Sequence, residues 1–307
     1  MDVDLQIAVL GTGGVGAFLG AALDRAGEDV LLIAREPTAE AIGREGLTVE
    51  SARLGGFHTQ PKTATQLDQP TDVLVVATKA KDLPSALERI KAEPALVVPL
   101  LNGLDHVETL RERFGPRAVA ASIRVEAFRT EPTRVRQTSL FLRIDVATHN
   151  HRMRPAVDAF AETLTRAGVP ARVLESEAQA MWGKLVRLNA LALMSSAYDL
   201  PVGPIRTTPE LRDELQACVE EAAAVANADG AQVDPAATMA ELDDAHETLG
   251  SSMQRDIAAG VEPELDAIAG SVLRAAARHG LRCPTIERLV ARVAERSGAP
   301  LPAAALG

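Results

Sequence analysis

Three stretches of this chain carry side chains whose types and spacing could do chemistry. The first, GTGGVG, sets Gly11, Gly13 and Gly16 around Gly14 and Val15. Glycines in the order G-x-G-x-x-G permit a tight turn, let a pyrophosphate approach the backbone, and let a helix pack closely on a strand. The second group is Arg35, Lys79 and Asn102, each following an apolar run (LLIA, DVLVVAT, VVPLL). The third is MWGKLVRLNA, residues 181–190, where Lys184 stands two positions after Trp182, the only tryptophan. Of the 32 basic residues just five are lysine, at 62, 79, 81, 91 and 184, so Lys184 is the only one beyond residue 91. A lysine ammonium is compact and its pKa can fall on burial, so it can give a proton to a developing alkoxide, which arginine cannot. A lysine snorkelling from the edge of a core helix is the structural alternative.

The elements that must hold these residues follow from periodicity. LQIAVLGTGGVG is an apolar run ending in glycines, and AFLGAALDRAG has helical composition up to Gly27. DVLLIAR, DVLVVATK and ALVVPLLNG are further apolar strands, with helices expected near 82–92 and 104–114. Near-continuous apolar strands alternating with helices indicate a parallel sheet covered on both faces. After Arg117, AVAASIRVEAF and VRQTSLFLRIDVAT are expected to be neighbouring strands extending that sheet, before a helix and a last strand, PARVLE. From about Ser176 the period is helical throughout, punctuated by DLPVGP, NADGAQVDP and HGLRCP. The expected architecture is α/β, a Rossmann-type doubly wound sheet over 1–175 followed by an all-helical domain over 176–307. The tail APLPAAALG is expected to fray.

Composition narrows the function. The 307 residues are 47% hydrophobic and 24% charged, with a formal net charge of -10, which opposes nucleic-acid binding because that needs clustered cations. Cys218 and Cys283 are too few for a disulfide framework and have no metal-ligand spacing. His149 and His151 form only an x-spaced pair, so no metal site is expected. The start, MDVDLQ, lacks the basic and apolar regions of a signal peptide, and no apolar run approaches the ~18 residues that span a bilayer. The expectation is a cytoplasmic protein without membrane or nucleic-acid partners. The alanine-rich helical half suits a homodimer interface as well as packing within one chain.

GTGGVG sits between a strand and a helix, and a second strand ends about 20 residues later, the context that makes the glycine pattern a dinucleotide site. An NAD site commonly has an acidic residue at the end of that second strand. Here Ala34 and Arg35 stand there, and a guanidinium suits a 2′-phosphate, which points to NADP, although Glu36 follows directly. Lys79 and Asn102-Gly103 fall at the carboxyl ends of later strands, the rim where ligands of such sheets bind.

The ordered stretches IAVLGTGGVGAFLGAALDRAGEDVLLIAR, VVATKAKDLPSAL, VVPLLNGLDHVE, MWGKLV and SSMQRDI…EPELDAIAG resemble those of the ketopantoate reductase (2-dehydropantoate 2-reductase) family over nearly the whole chain. The resemblance implies NADPH-dependent reduction of a 2-keto acid to a 2-hydroxy acid, at a cleft between the two domains. It implies that Lys184 hydrogen-bonds the substrate carbonyl and supplies the proton, and that Glu264 holds the substrate hydroxyl or tunes the lysine. Ser252 would bind the substrate carboxylate, Asn102 would sit between nicotinamide and substrate, and Arg35 and Lys79 would face the adenosine phosphate. Physical chemistry agrees: hydride transfer to a ketone builds charge on oxygen, and a fixed ammonium lowers that barrier. Ser252 and Glu264 would be ~18 Å apart along one continuous helix. Gly260 and Pro263 favour a break, with Pro263 in the first turn of a new helix and Glu264 beside its N-terminus.

Four positions depart from the family pattern. Leu188 and Ala192 stand where asparagines four and eight residues after the lysine are expected, and Asn189 is one step away, about 100° around a helix. Leu101 replaces a common glutamine, and Gln137 falls near a frequent histidine. Ketopantoate is therefore the default substrate, with a paralogue acting on a more apolar ketone or keto acid as the near alternative. A noncatalytic NADP-binding sensor is the alternative from another class.

Overall fold

The computed structural model describes residues 5–305. The first four residues of the acidic start and the last two of the tail lie outside the described residues. Two compact units form, one from Met1–Leu101 with His106–Ala180, the other from Asn102–Asp105 with Met181–Gly307.

The first unit begins β1 (Gln6–Leu10), α1 (Gly14–Arg25), β2 (Asp29–Ile33) and α2 (Glu36–Glu45), continues through the hairpin β3 (Leu47–Ser51) and β4 (Gly55–Thr59), and then β5 (Lys62–Ala64) and β6 (Val73–Val76). It goes on with α3 (Leu83–Leu87), β7 (Leu96–Pro99), α4 (His106–Phe114), β8 (Ala120–Arg124), β9 (Ala127–Glu131), β10 (Arg134–Gln137), β11 (Arg143–Ala147), α5 (Arg154–Arg166) and β12 (Ala171–Leu174). The central sheet has order β5-β2-β1-β6-β7 and is wholly parallel. Strands β6 and β7 are unbroken apolar runs, and β1 and β2 are apolar after a polar first residue, because both faces are covered; the edge strand β5 is not. In β1, Ile7 and Val9 join one core with α1 while Ala8 and Leu10 join another with α3 and α4; β6 divides in the same way.

The order of strands reverses between β1 and β6, so the carboxyl ends of these two form the crevice where such sheets take ligands. The α3 helix is shorter than expected because Ile90 leaves it to bridge with Leu67. The strands after Arg117 correct the expectation of one extended sheet. Although β8 and β11 are antiparallel neighbours, they form a separate three-stranded sheet with β12, joined to β7 at the single bridge Val97–Ala118. The β9–β10 pair instead joins the edge of β3, giving a four-stranded sheet β4-β3-β10-β9. The open backbone edge of the β3–β4 hairpin supplies the partner, a non-local pairing that periodicity does not reveal.

The second unit is helical. It contains most of α6 (Glu177–Tyr198), then α7 (Val202–Thr207), α8 (Pro209–Ala228), α9 (Pro235–Asp243), α10 (Ser252–Ala258), α11 (Ser271–Arg278) and α12 (Pro284–Ser297). DLPVGP, NADGAQVDP and HGLRCP fall at breaks between helices, and proline opens α8, α9 and α12, where its missing N–H costs nothing. Helix α11 is preceded by a π-helical turn, Asp266–Gly270.

Candidate active site

At the end of β1 the chain turns through Gly11, whose φ of +99° suits glycine, and its N–H donates to the Ile33 carbonyl at 3.2 Å. A methyl group on Gly16 would lie 1.9 Å from the Gly11 carbonyl oxygen, so only glycine lets α1 start this close to the strand end. Gly13 precedes α1 as its N-cap, is exposed, and has nothing within 4 Å of where a Cβ would stand. Gly14 opens the helix and Val15 packs partly on the core beneath. An exposed, side-chain-free turn at a helix N-terminus, placed at the switch point of the sheet, fits a dinucleotide pyrophosphate.

Arg35 is the exposed N-cap of α2, directly beyond β2; its carbonyl accepts from the N–H groups of Thr38 and Ala39, and among the described residues its guanidinium forms no hydrogen bond or ion pair. Lys79, half-buried, follows β6 on the same rim. Gly11 and Arg35 thus stand at the carboxyl ends of β1 and β2, and Lys79 beyond that of β6, where a dinucleotide crosses such a sheet.

Within the second unit, three residues far apart in sequence form one hydrogen-bonded chain. The Lys184 ammonium donates to Asn102 Oδ1 at 2.8 Å, and Asn102 Nδ2 donates to Glu264 Oε2 at 3.0 Å. An asparagine amide can accept from a cation on one side and donate to a carboxylate on the other in one orientation only, so the two charges fix its flip. Glu264 accepts the first helical bond of the segment leading into α11, from Ile268 N–H at 3.0 Å. The break between Ser252 and Glu264 is present, with α10 ending at Ala258 and Gly260 at φ +66°. Helical geometry starts at Leu265, so Pro263 precedes the cap and does not lie in the first turn. Ser252 opens α10 and is exposed; no hydrogen bond joins it to the Lys184–Asn102–Glu264 chain.

Lys184 is aimed by what α6 buries behind it. Trp182 is 1% exposed, and its indole N–H donates to Asp229 Oδ2 at 2.8 Å. Two residues are about 200° of helical rotation, so anchoring the indole on one side turns the lysine to the other. Asp229 also meets His279 Nε2 at 2.8 Å, linking α6 to the end of α11. Burial by itself would raise the Asp229 pKa, but the hydrogen bonds from His279 and Trp182 outweigh it and hold the carboxyl below its usual value. Asp229 carries no motif, and its place became visible only through this contact.

The departures from the family pattern have physical locations. Leu188, half-buried, is one helical turn beyond Lys184, and Ala192 is fully buried. Asn189 is 0% exposed and its amide donates towards Cys218 Sγ at 3.8 Å, so it faces α8 and does not replace a missing amide beside the lysine. Leu101 is buried at 3% exposure. Gln137, 1% exposed, is a structural residue that accepts from Ser51 Oγ at 2.7 Å and donates to Ser139. His149 is held by Glu177, whose oxygen lies 2.9 Å from its Nδ1.

Comparison with known proteins decides the family. The model described as Ketopantoate reductase PanE/ApbA matches residues 7–150, and its C-terminal counterpart matches 178–297. The chain belongs to the ketopantoate reductase family. A 2-dehydropantoate 2-reductase of Mycobacterium tuberculosis is 31% identical over 307 residues, covering 96% of this chain and 98% of that protein. An uncharacterized oxidoreductase of Bacillus subtilis, YkpB, is 28% identical over 300 residues, covering 94% and 98%. The solved 2-dehydropantoate 2-reductase of Geobacter metallireducens superposes with a TM-score of 0.87 at 27% identity, covering 95% of this chain and 99% of that one. As a ketopantoate reductase family member, the protein is an NADP-dependent oxidoreductase acting on a CH–OH group. Among its described residues no helix is long and apolar enough to cross a membrane.

Proposed function

We propose that this family member reduces a 2-keto acid to its 2-hydroxy acid with NADPH, ketopantoate to pantoate being the first candidate, in the cytoplasm. The observation that carries the proposal is the Lys184–Asn102–Glu264 hydrogen-bonded chain. Bound NADPH would supply the hydride to the carbonyl carbon. Lys184 would hydrogen-bond the carbonyl oxygen and give it a proton as charge develops, so the alkoxide never stands uncompensated. Glu264 would hold the nascent hydroxyl, and Asn102, fixed between the two charges, would hold the lysine on line. Ser252 offers an exposed hydroxyl for the substrate carboxylate. Gly11, Gly13, Gly14, Val15 and Gly16 would cradle the pyrophosphate, and Arg35 and Lys79 the adenosine phosphates, with Asn102 towards the nicotinamide.

A more apolar keto acid is the second substrate candidate. Leu188 and Ala192 support it, because α6 presents no amide there and a substrate hydroxyl left unpaired costs about 1–3 kcal/mol.

The test is spectrophotometric NADPH oxidation with ketopantoate and a panel of branched 2-keto acids, wild type beside Lys184→Ala. Turnover by wild type and a loss in Lys184→Ala far larger than any change in NADPH affinity are expected. Tight NADPH binding with no oxidation by any keto acid would sink the enzymatic assignment and favour a sensor.

A further inference from the structure

The Asn102–Glu264 contact joins two segments of the second unit, and one side chain spans both a few residues further on. Arg274, on α11, donates through Nε and Nη2 to Asp105 Oδ2 at 3.1 and 2.6 Å. The same guanidinium donates through Nη1 to Asp266 Oδ1 at 2.7 Å, and through Nη2 to the Asp266 carbonyl at 3.0 Å and Oδ2 at 3.3 Å. Asp105 is three residues after Asn102, and Asp266 is two after Glu264. Between these pairs the backbones touch: Gly103 has φ +87°, and a Cβ there would stand 1.9 Å from the Ala267 carbonyl oxygen.

We infer that Arg274 is a positioning residue, which clamps the Asn102–Asp105 loop to the π-helical turn after Glu264 and so sets the distance between Asn102 and Glu264. A planar five-donor fork can bind two carboxylates and a carbonyl at once; a lysine ammonium cannot span them. The clamp contributes little to global stability, because the side chains of Arg274, Asp105 and Asp266 are 31%, 46% and 64% exposed and such pairs are worth little in water. Its consequence is geometric. Lys184 donates its hydrogen bond to Asn102, so a loop free to drift misplaces the proton donor, and a 1 Å error can cost about 100-fold in rate.

Because Arg274 would act for the reaction proposed above, the test needs one arm that reads turnover and one that does not. In the turnover arm, Arg274→Met should lower kcat about 10–100-fold with NADPH affinity and melting temperature close to wild type, and Arg274→Lys should not restore it. In an Asn102→Ala background, Arg274→Met should add less than about a two-fold further loss, since the residue it positions is gone. An undiminished kcat, or an equal loss in both backgrounds, overturns the proposal. In the second arm, hydrogen exchange of Arg274→Met, and of Asp105→Asn as a milder variant, should quicken in both segments, 102–105 and 264–270. Unchanged exchange in both variants overturns the clamp even if no keto acid is ever turned over. Absence of wild-type turnover, by contrast, removes the proposed reaction and leaves the exchange result to decide on the clamp.

Discussion

Lys184 and Asn102 are 82 positions apart in the chain, yet the lysine ammonium lies 2.8 Å from the asparagine oxygen. That single contact places the lysine in a hydrogen-bonded chain, since Asn102 passes the connection on to Glu264. Asn102→Ala should therefore lower kcat about 10–100-fold, while NADPH affinity stays nearer to wild type, as read by single-turnover kinetics and cofactor fluorescence. An unaltered kcat would remove Asn102 from the reaction.

Two glycines of the same turn should respond differently to a methyl group. Gly16→Ala forces a Cβ to 1.9 Å from the Gly11 carbonyl and should cost about 1–3 kcal/mol in urea unfolding, with weaker NADPH binding. Gly13→Ala meets nothing within 4 Å and should unfold like wild type, yet should still weaken NADPH because the added methyl stands where the pyrophosphate would approach. Equal stability of the two variants would contradict the packing described for α1.

Leu188→Asn tests what the α6 face selects. Placing an amide one turn beyond Lys184 should shift the ratio of kcat/KM values for ketopantoate over a branched apolar keto acid upward by about 10-fold, the scale of one satisfied polar group. A ratio that does not move would take Leu188 out of the substrate pocket.

Asp229 makes stability depend on acid pH. Its folded-state pKa is lower than the ordinary 3.8, so its contribution is present above that value and is lost as pH falls through the folded pKa. Asp229→Asn should be destabilised by about 1–2 kcal/mol at neutral pH, and the gap to wild type should close below about pH 4. Denaturant melts at several pH values would show this; a gap independent of pH would mean that the charge at Asp229 is immaterial.

The two thiols should be silent in the folded protein. Burial, then Glu221 and Glu287, push the Cys283 thiol up to about 12, and burial also raises Cys218 well above the ordinary thiol value. At pH 8 the Cys283 thiolate is then about one part in ten thousand. Ellman's reagent should label neither residue until denaturant is added, and then both. Rapid labelling of native protein would show that α8 and the start of α12 open readily.

Much of this protein is written in local pattern. Strand, glycine turn and helix at residues 6–25 are legible because parallel strands covered on both faces are apolar without alternation and because only glycine fits the turn. The helical half is legible from its period and its proline and glycine breaks, and Lys184 from its rarity. What local pattern does not contain is pairing at a distance. The strands after Arg117 look like one continued sheet, but β10 finds its partner in β3, some 86 positions earlier, through backbone edges that carry no side-chain signal. Asn189 looks like a near miss for a lost amide until the rotation of α6, set by Trp182 on Asp229, turns it into the core. Arg274 reads as one arginine among many until its fork is seen across Asp105 and Asp266. Residue types and spacings determined which chemistry is available and which elements carry it. Tertiary structure alone decided which side chains meet, because a hydrogen bond depends on tenths of an ångström between groups that the chain order leaves far apart.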